Sequence, residues 1–104
     1  MQKVHLLLGS NLGNSKKYLS DSVDIIQKRI GKVISKSALY QTESWGKTNQ
    51  PDFINQVILI ETQLSPEDVL KEILSIETEL GRERHEKWGS RIIDIDILFY
   101  GDKE

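Results

Sequence analysis

The stretch FINQVILIETQLSPEDVLKEILSIETELG, residues 53–81, decides the fold, because its pattern switches once from strand to helix. Phe53 to Thr62 is rich in isoleucine and valine and reads as a strand. Ser65-Pro66-Glu67-Asp68 then supplies a helix start. Serine serves as N-cap, proline occupies the first helical position, where its missing N–H leaves no bond unmade, and the two acids meet the positive end of the helix dipole. Val69, Ile73, Ile76 and Leu80 recur at helical spacing and form one buried stripe, and Gly81 closes the helix.

The same alternation of elements extends in both directions. Upstream, Val4, Leu6 and Leu8 alternate in a strand over residues 3–9, and Leu7 makes the run almost continuous, as in a strand covered on both faces. GSNLGN (9–14) reads as a turn, with Asn14 or Ser15 as helix cap. Leu19, Val23, Ile26 and Ile30 then share one helical face, and Gly31 is expected to end that helix as a left-handed cap. Residues 32–42 return to a β pattern, and ESWGKTNQP (43–51) is a polar loop without periodicity. Downstream, the basic segment RERHEKWGSR (82–91) leads into a last strand, IIDIDILFY (92–100). The order βαββαβ predicts an α+β, ferredoxin-like fold: a four-stranded antiparallel sheet with both helices on one face. The other face is left for a ligand.

Composition narrows the function. The chain has 104 residues, 29% charged and 38% hydrophobic, which suits one globular domain rather than a disordered segment. A net charge of −2 argues against a nucleic-acid partner, since such proteins carry an excess of lysine and arginine. Cysteine is absent, which excludes disulfides and thiolate metal sites and suits a reducing cytoplasm. The apolar run near Met1 is too short for a signal peptide or a membrane span, so a cytoplasmic protein with no membrane partner is expected.

The sharpest chemical signal is Asp94-Ile95-Asp96. Strand side chains alternate faces, so the two carboxylates leave the same side with α-carbons about 7 Å apart. Ile93, Ile95, Ile97 and Phe99 are expected on the opposite, core-facing side. Two neighbouring acids repel and lose solvation on such a strand, so a cation belongs between them. Magnesium fits, because it takes one or two carboxylates together with substrate phosphates. Just upstream lie Arg82, Arg84, Lys87 and Arg91, with His85 and Trp88 among them. A basic segment feeding a dicarboxylate strand suits phosphoryl transfer, in which acids hold metal and cations neutralise the moving group. Phe53 and Asn55 share a strand face, and a ring beside an amide suits a flat heterocycle. Taken singly, each feature also has a plainer reading. The acids could face water from an edge strand, Glu83 and Glu86 could balance the basic loop, and Glu77 could be an ordinary exposed helix acid.

Together the segments LLLGSNLGN (6–14), LYQTESWG (39–46), QPDFINQV (50–57) and IETELGRERHEKWGSRIIDIDILFYG (76–101) resemble the 6-hydroxymethyl-7,8-dihydropterin pyrophosphokinase family of folate biosynthesis. The last is the most specific, joining Glu77, Gly81-Arg82, Trp88-Gly89 and Arg91-x-x-Asp94-x-Asp96 at the family's spacing. The resemblance implies transfer of diphosphate from ATP to the hydroxymethyl oxygen of the pterin, leaving AMP. It implies two magnesium ions on Asp94 and Asp96, with Arg82 and Arg91 as catalytic partners at the phosphates. Glu77, Arg82, Arg84, Trp88, Arg91 and Ile97 would contact ATP, and Thr42, Trp45, Phe53 and Asn55 the pterin. The stretches 43–51 and 82–91 resemble loops that close over substrates in that family. Two positions depart from it: Phe53 stands where tyrosine is frequent, and Glu43 where proline is.

The family continues past this point into a segment of H-P-R-x-x-x-R-x-F-V/L type, whereas this chain stops at Glu104. Residues 1–104 are therefore expected to be the N-terminal and central part of a longer enzyme. The alternative is a truncated or non-catalytic ferredoxin-like ligand-binding module, which leaves the aspartate pair unexplained. An RNA-binding domain of this topology would need more exposed aromatics and a basic balance.

Overall fold

The computed structural model describes residues 1–43, 52–81 and 93–101. The elements are β1 (Gln2–Ser10), α1 (Ser15–Arg29), β2 (Gly31–Lys36), β3 (Tyr40–Thr42), β4 (Phe53–Thr62), α2 (Pro66–Leu80) and β5 (Asp94–Tyr100). The sheet runs β2-β4-β1-β5, with β3 also paired to β4, and every pairing is antiparallel. This is the predicted ferredoxin-like arrangement, with its second strand broken into β2 and β3. Across the break Ser37 keeps hold of β4: its N–H donates to the Val57 carbonyl at 2.8 Å, and its Oγ accepts from the Val57 N–H at 2.9 Å.

The caps form as the sequence suggests. Asn14 Oδ1 accepts from the Lys17 N–H at 3.2 Å, and Ser65 Oγ accepts from the Asp68 N–H at 3.1 Å. Both helices turn their stripes to the sheet. Leu19, Val23 and Ile26 of α1 and Val69, Ile73 and Ile76 of α2 join Val4, Leu6, Leu8, Ile58, Ile60 and Ile95 in one buried core. Burying each such side chain contributes about 1.5–3 kcal/mol. Arg29 ties the helices together, donating to Glu72 at 3.0 Å, to Ser75 at 2.9 Å and to Glu79. Thr62, buried under the α1–β2 corner, donates to the Ile30 carbonyl at 2.6 Å and accepts from the Leu64 N–H at 3.1 Å.

Two expectations are corrected. Gly31 is not a left-handed cap: α1 ends at Ile30 in right-handed geometry, and Gly31 is the first residue of β2. Glycine is needed there for space, since a β-carbon would lie 2.0 Å from the Glu61 carbonyl oxygen. Phe99 does not face the core but is 44% exposed. The cause is a β-bulge: Leu6 pairs with Ile97 while His5 pairs with Phe99, so Leu98 is an extra residue that reverses the alternation. Phe99 consequently lies edge-on to His5, with ring centroids 5.9 Å apart. Tyr100 takes the core side instead, its hydroxyl donating to the Leu64 carbonyl.

Candidate active site

One end of the sheet gathers the residues singled out in the sequence. Strands β1 and β3 finish there at Ser10 and Thr42, while β4 and β5 begin there at Phe53 and Asp94. The chain leaves and re-enters this end at Glu43 and Asp52, and again at Gly81 and Ile93. The predicted residues Trp45, Arg82, Arg84, Trp88 and Arg91 lie outside the described residues.

The register places the rest. Asp94 pairs with Gly9 and Asp96 with Leu7, so both acids point away from the helices, as the strand period requires. The expectation that both lose solvation is met only in part: Asp94 is half-buried, but Asp96 is exposed. Ile97 lies on the opposite side and packs against the core, so the structure does not bring its side chain to the two acids.

Gly9 pairs with Asn55 as well as with Asp94, so Asn55, Gly9 and Asp94 form a row across three strands. At the usual strand spacing, the α-carbons of Asn55 and Asp94 lie about 10 Å apart with a bare glycine between them. Asn55 is 92% buried and its amide is held: Nδ2 donates to Thr42 Oγ1 at 2.8 Å, and Oδ1 leans over Gly9. A β-carbon on Gly9 would stand 2.8 Å from that oxygen and 3.6 Å from the Phe53 ring. The glycine therefore lets the Asn55 amide and the Phe53 ring lie close over β1, with Thr42, Asn55 and Phe53 on one side of the row and the carboxylates on the other. In the sequence Gly9 falls both at the end of the first strand (3–9) and at the start of the GSNLGN turn. Its signal was present, since Gly9 continues the Leu7 side of the alternation, but the following GSNLGN masked it.

Glu77 comes from the last turn of α2, half-buried beside the core stripe. Its Oε2 accepts from the backbone N–H of Ile95 at 2.8 Å, between the two aspartates. Magnesium fits this donor set. Two hard oxygen ligands share one face, Asp96 exposed to solvent, and magnesium takes one or two carboxylates together with phosphate and water oxygens. Among the described residues no group of three or more His, Cys, Asp or Glu could hold a metal by itself.

Against known proteins, residues 5–103 match the family model of 7,8-dihydro-6-hydroxymethylpterin-pyrophosphokinase. The chain belongs to this family. A Methylorubrum extorquens protein named 2-amino-4-hydroxy-6-hydroxymethyldihydropteridine pyrophosphokinase is 43% identical over 101 residues, 96% of this chain and 64% of that protein. A Porphyromonas gingivalis protein of the same name is 40% identical over 103 residues, 96% of this chain and 70% of that protein. The chain thus spans roughly two thirds of these family members. The crystal structure of wild-type Plasmodium falciparum HPPK-DHPS superposes with a TM-score of 0.79 at 20% identity, over 98% of this chain and 30% of that one, and supports the fold. No helix among the described residues is long and apolar enough to cross a membrane.

Proposed function

We propose that this chain carries the metal and pterin portions of a site that transfers diphosphate from ATP to 6-hydroxymethyl-7,8-dihydropterin in folate biosynthesis. The hydroxymethyl oxygen attacks the β-phosphorus of ATP and the bond from that phosphorus to the α-phosphate bridging oxygen breaks. AMP leaves, and the hydroxyl proton passes to solvent. The observation that carries the reading is the row Asn55–Gly9–Asp94, which sets an amide suited to a heterocycle across one glycine from a carboxylate suited to a metal.

Asn55 reads the edge of the pterin ring by hydrogen bonds, oriented for this by Thr42. Phe53 offers its face for stacking. Asp94 and Asp96 hold two magnesium ions, which when bound supply charge neutralisation at the phosphates. Arg82 and Arg91 attend the transferring group, with Arg84 and Trp88 beside the nucleotide and Trp45 toward the pterin. Ile97, with its side chain in the core, would meet ATP only along the backbone edge of β5. We further place residues 1–104 as the N-terminal and central part of the family's domain, working in the cytoplasm.

Calorimetric titration with a nonhydrolysable ATP analogue tests the reading. Binding that requires magnesium and disappears in Asp94→Ala and Asp96→Ala is the expected result. Binding that is indifferent to magnesium and to both substitutions would instead indicate a non-catalytic ligand-binding module.

A further inference from the structure

The hydrogen bond from the Ile95 N–H to Glu77 concerns one of the two peptides that lie between the two acids, the one joining Asp94 to Ile95. Among the described residues strand β5 is at the edge of the sheet, paired with β1 on one side. The Ile95 amide turns away from β1 toward α2, so its direction is set by whatever accepts from it. Peptide units are planar, so fixing the N–H of Ile95 also fixes the plane shared with Asp94. That plane governs how the β-carbons of Asp94 and Asp96 project from the strand. An edge strand bonded only to water there would be free to twist, since edge strands carry no second ladder.

Glu77 is well suited to hold that peptide. Hydrogen bonds to an ionised carboxylate are roughly twice as strong as neutral ones. The residue sits on a rigid support: its own carbonyl accepts from the Gly81 N–H at 2.8 Å, and its neighbour Ile76 is fully buried. Arg29 further ties the same end of α2 to α1 through Glu79. A displacement of the α2 C-terminus would therefore be carried to the carboxylate pair through one bond.

We infer that Glu77 is a positioning residue for the metal site, holding Asp94 and Asp96 in register through the backbone amide of Ile95 rather than through the nucleotide. The inference deepens the proposed function and rests on Asp94 and Asp96 being the metal ligands. Supporting groups behind metal ligands commonly alter metal affinity by about 10–100-fold when removed. Glu77→Gln keeps an acceptor oxygen for the amide and drops the charge, whereas Glu77→Ala removes the acceptor.

The test uses the whole chain. Manganese is titrated by its electron spin resonance signal with a nonhydrolysable ATP analogue present, and amide exchange at Ile95 is followed by NMR without metal. In Glu77→Ala, manganese affinity falls by at least about tenfold, and the Ile95 amide exchanges faster while the core amides of β1 and β4 keep their protection. In Glu77→Gln, which keeps a weaker neutral acceptor, both quantities fall between those of the native chain and those of Glu77→Ala. Two results overturn the inference: a Glu77→Gln variant as impaired as Glu77→Ala, which would mean that charge acts directly, or a freed Ile95 amide with manganese affinity unchanged. Failure of the unsubstituted chain to bind manganese with the analogue would sink the underlying functional reading instead. The metal-free arm then still decides the structural step: unchanged Ile95 exchange in Glu77→Ala contradicts the hydrogen bond as its anchor, and faster exchange upholds it.

Discussion

Between Asp94 and Ile97 strand β5 alternates regularly, acids outward and isoleucines inward, but beyond Leu98 the alternation is reversed. The first half lies beside Gly9, which adds no side chain to that face; the second fills the same face with the His5–Phe99 ring pair. A single extra residue thus divides one strand into a polar, accessible segment and an aromatic, self-covered one. The open face of the sheet is therefore not a uniform ligand platform. Among the described residues, the polar groups suited to chemistry on this face collect at the end that holds Thr42, Phe53, Asn55, Asp94 and Asp96.

Substitutions can break this contrast from either side. The largest effect belongs to the acids: Asp94→Ala or Asp96→Ala should lower diphosphate transfer, followed by AMP release, by about 10²–10³-fold. Stability in urea should change by less than about 0.5 kcal/mol for exposed Asp96. Next come the two glycines that permit close approach, at opposite ends of the sheet. Gly31→Ala drives a β-carbon against the Glu61 carbonyl and should cost about 1–3 kcal/mol by urea unfolding, as overpacking does. Gly9→Ala meets side chains rather than backbone, pressing on the Asn55 amide that Thr42 holds. It should weaken pterin binding about tenfold by calorimetry, the loss of roughly one good hydrogen bond, and leave nucleotide binding unchanged. Smallest is Phe99→Ala, which should cost about 1 kcal/mol from the lost ring pair with His5 and leave transfer untouched. A transfer defect in Phe99→Ala would erase the division between the two halves.

The same contrast shows what could be read from residues alone. Six elements were visible because caps and periods agree: Asn14 and Ser65 start helices, and the stripes of α1 and α2 bury the residues that their spacing selects. Asp94 and Asp96 were visible for the same reason, since a strand period fixes a shared face. The bulge at Leu98 was not, because an added residue in an apolar run leaves no mark in composition. Glycines gave the weakest guidance. Gly9 and Gly31 both mark close approaches across the sheet, and each was assigned, Gly9 in part, to local chain reversal because its tertiary neighbour is some 30 or more residues away in sequence. Glu77 stood at the margin of its helix stripe, but the amide it accepts from became identifiable only once α2 and β5 were placed side by side.

The central claim is tested most directly by a crystal structure of this chain with magnesium and a nonhydrolysable ATP analogue. The account predicts magnesium about 2.1 Å from carboxylate oxygens of both Asp94 and Asp96, bridging to the nucleotide phosphates. Magnesium bound only by other residues, or carboxylates of Asp94 and Asp96 turned to different sides of β5, would contradict it.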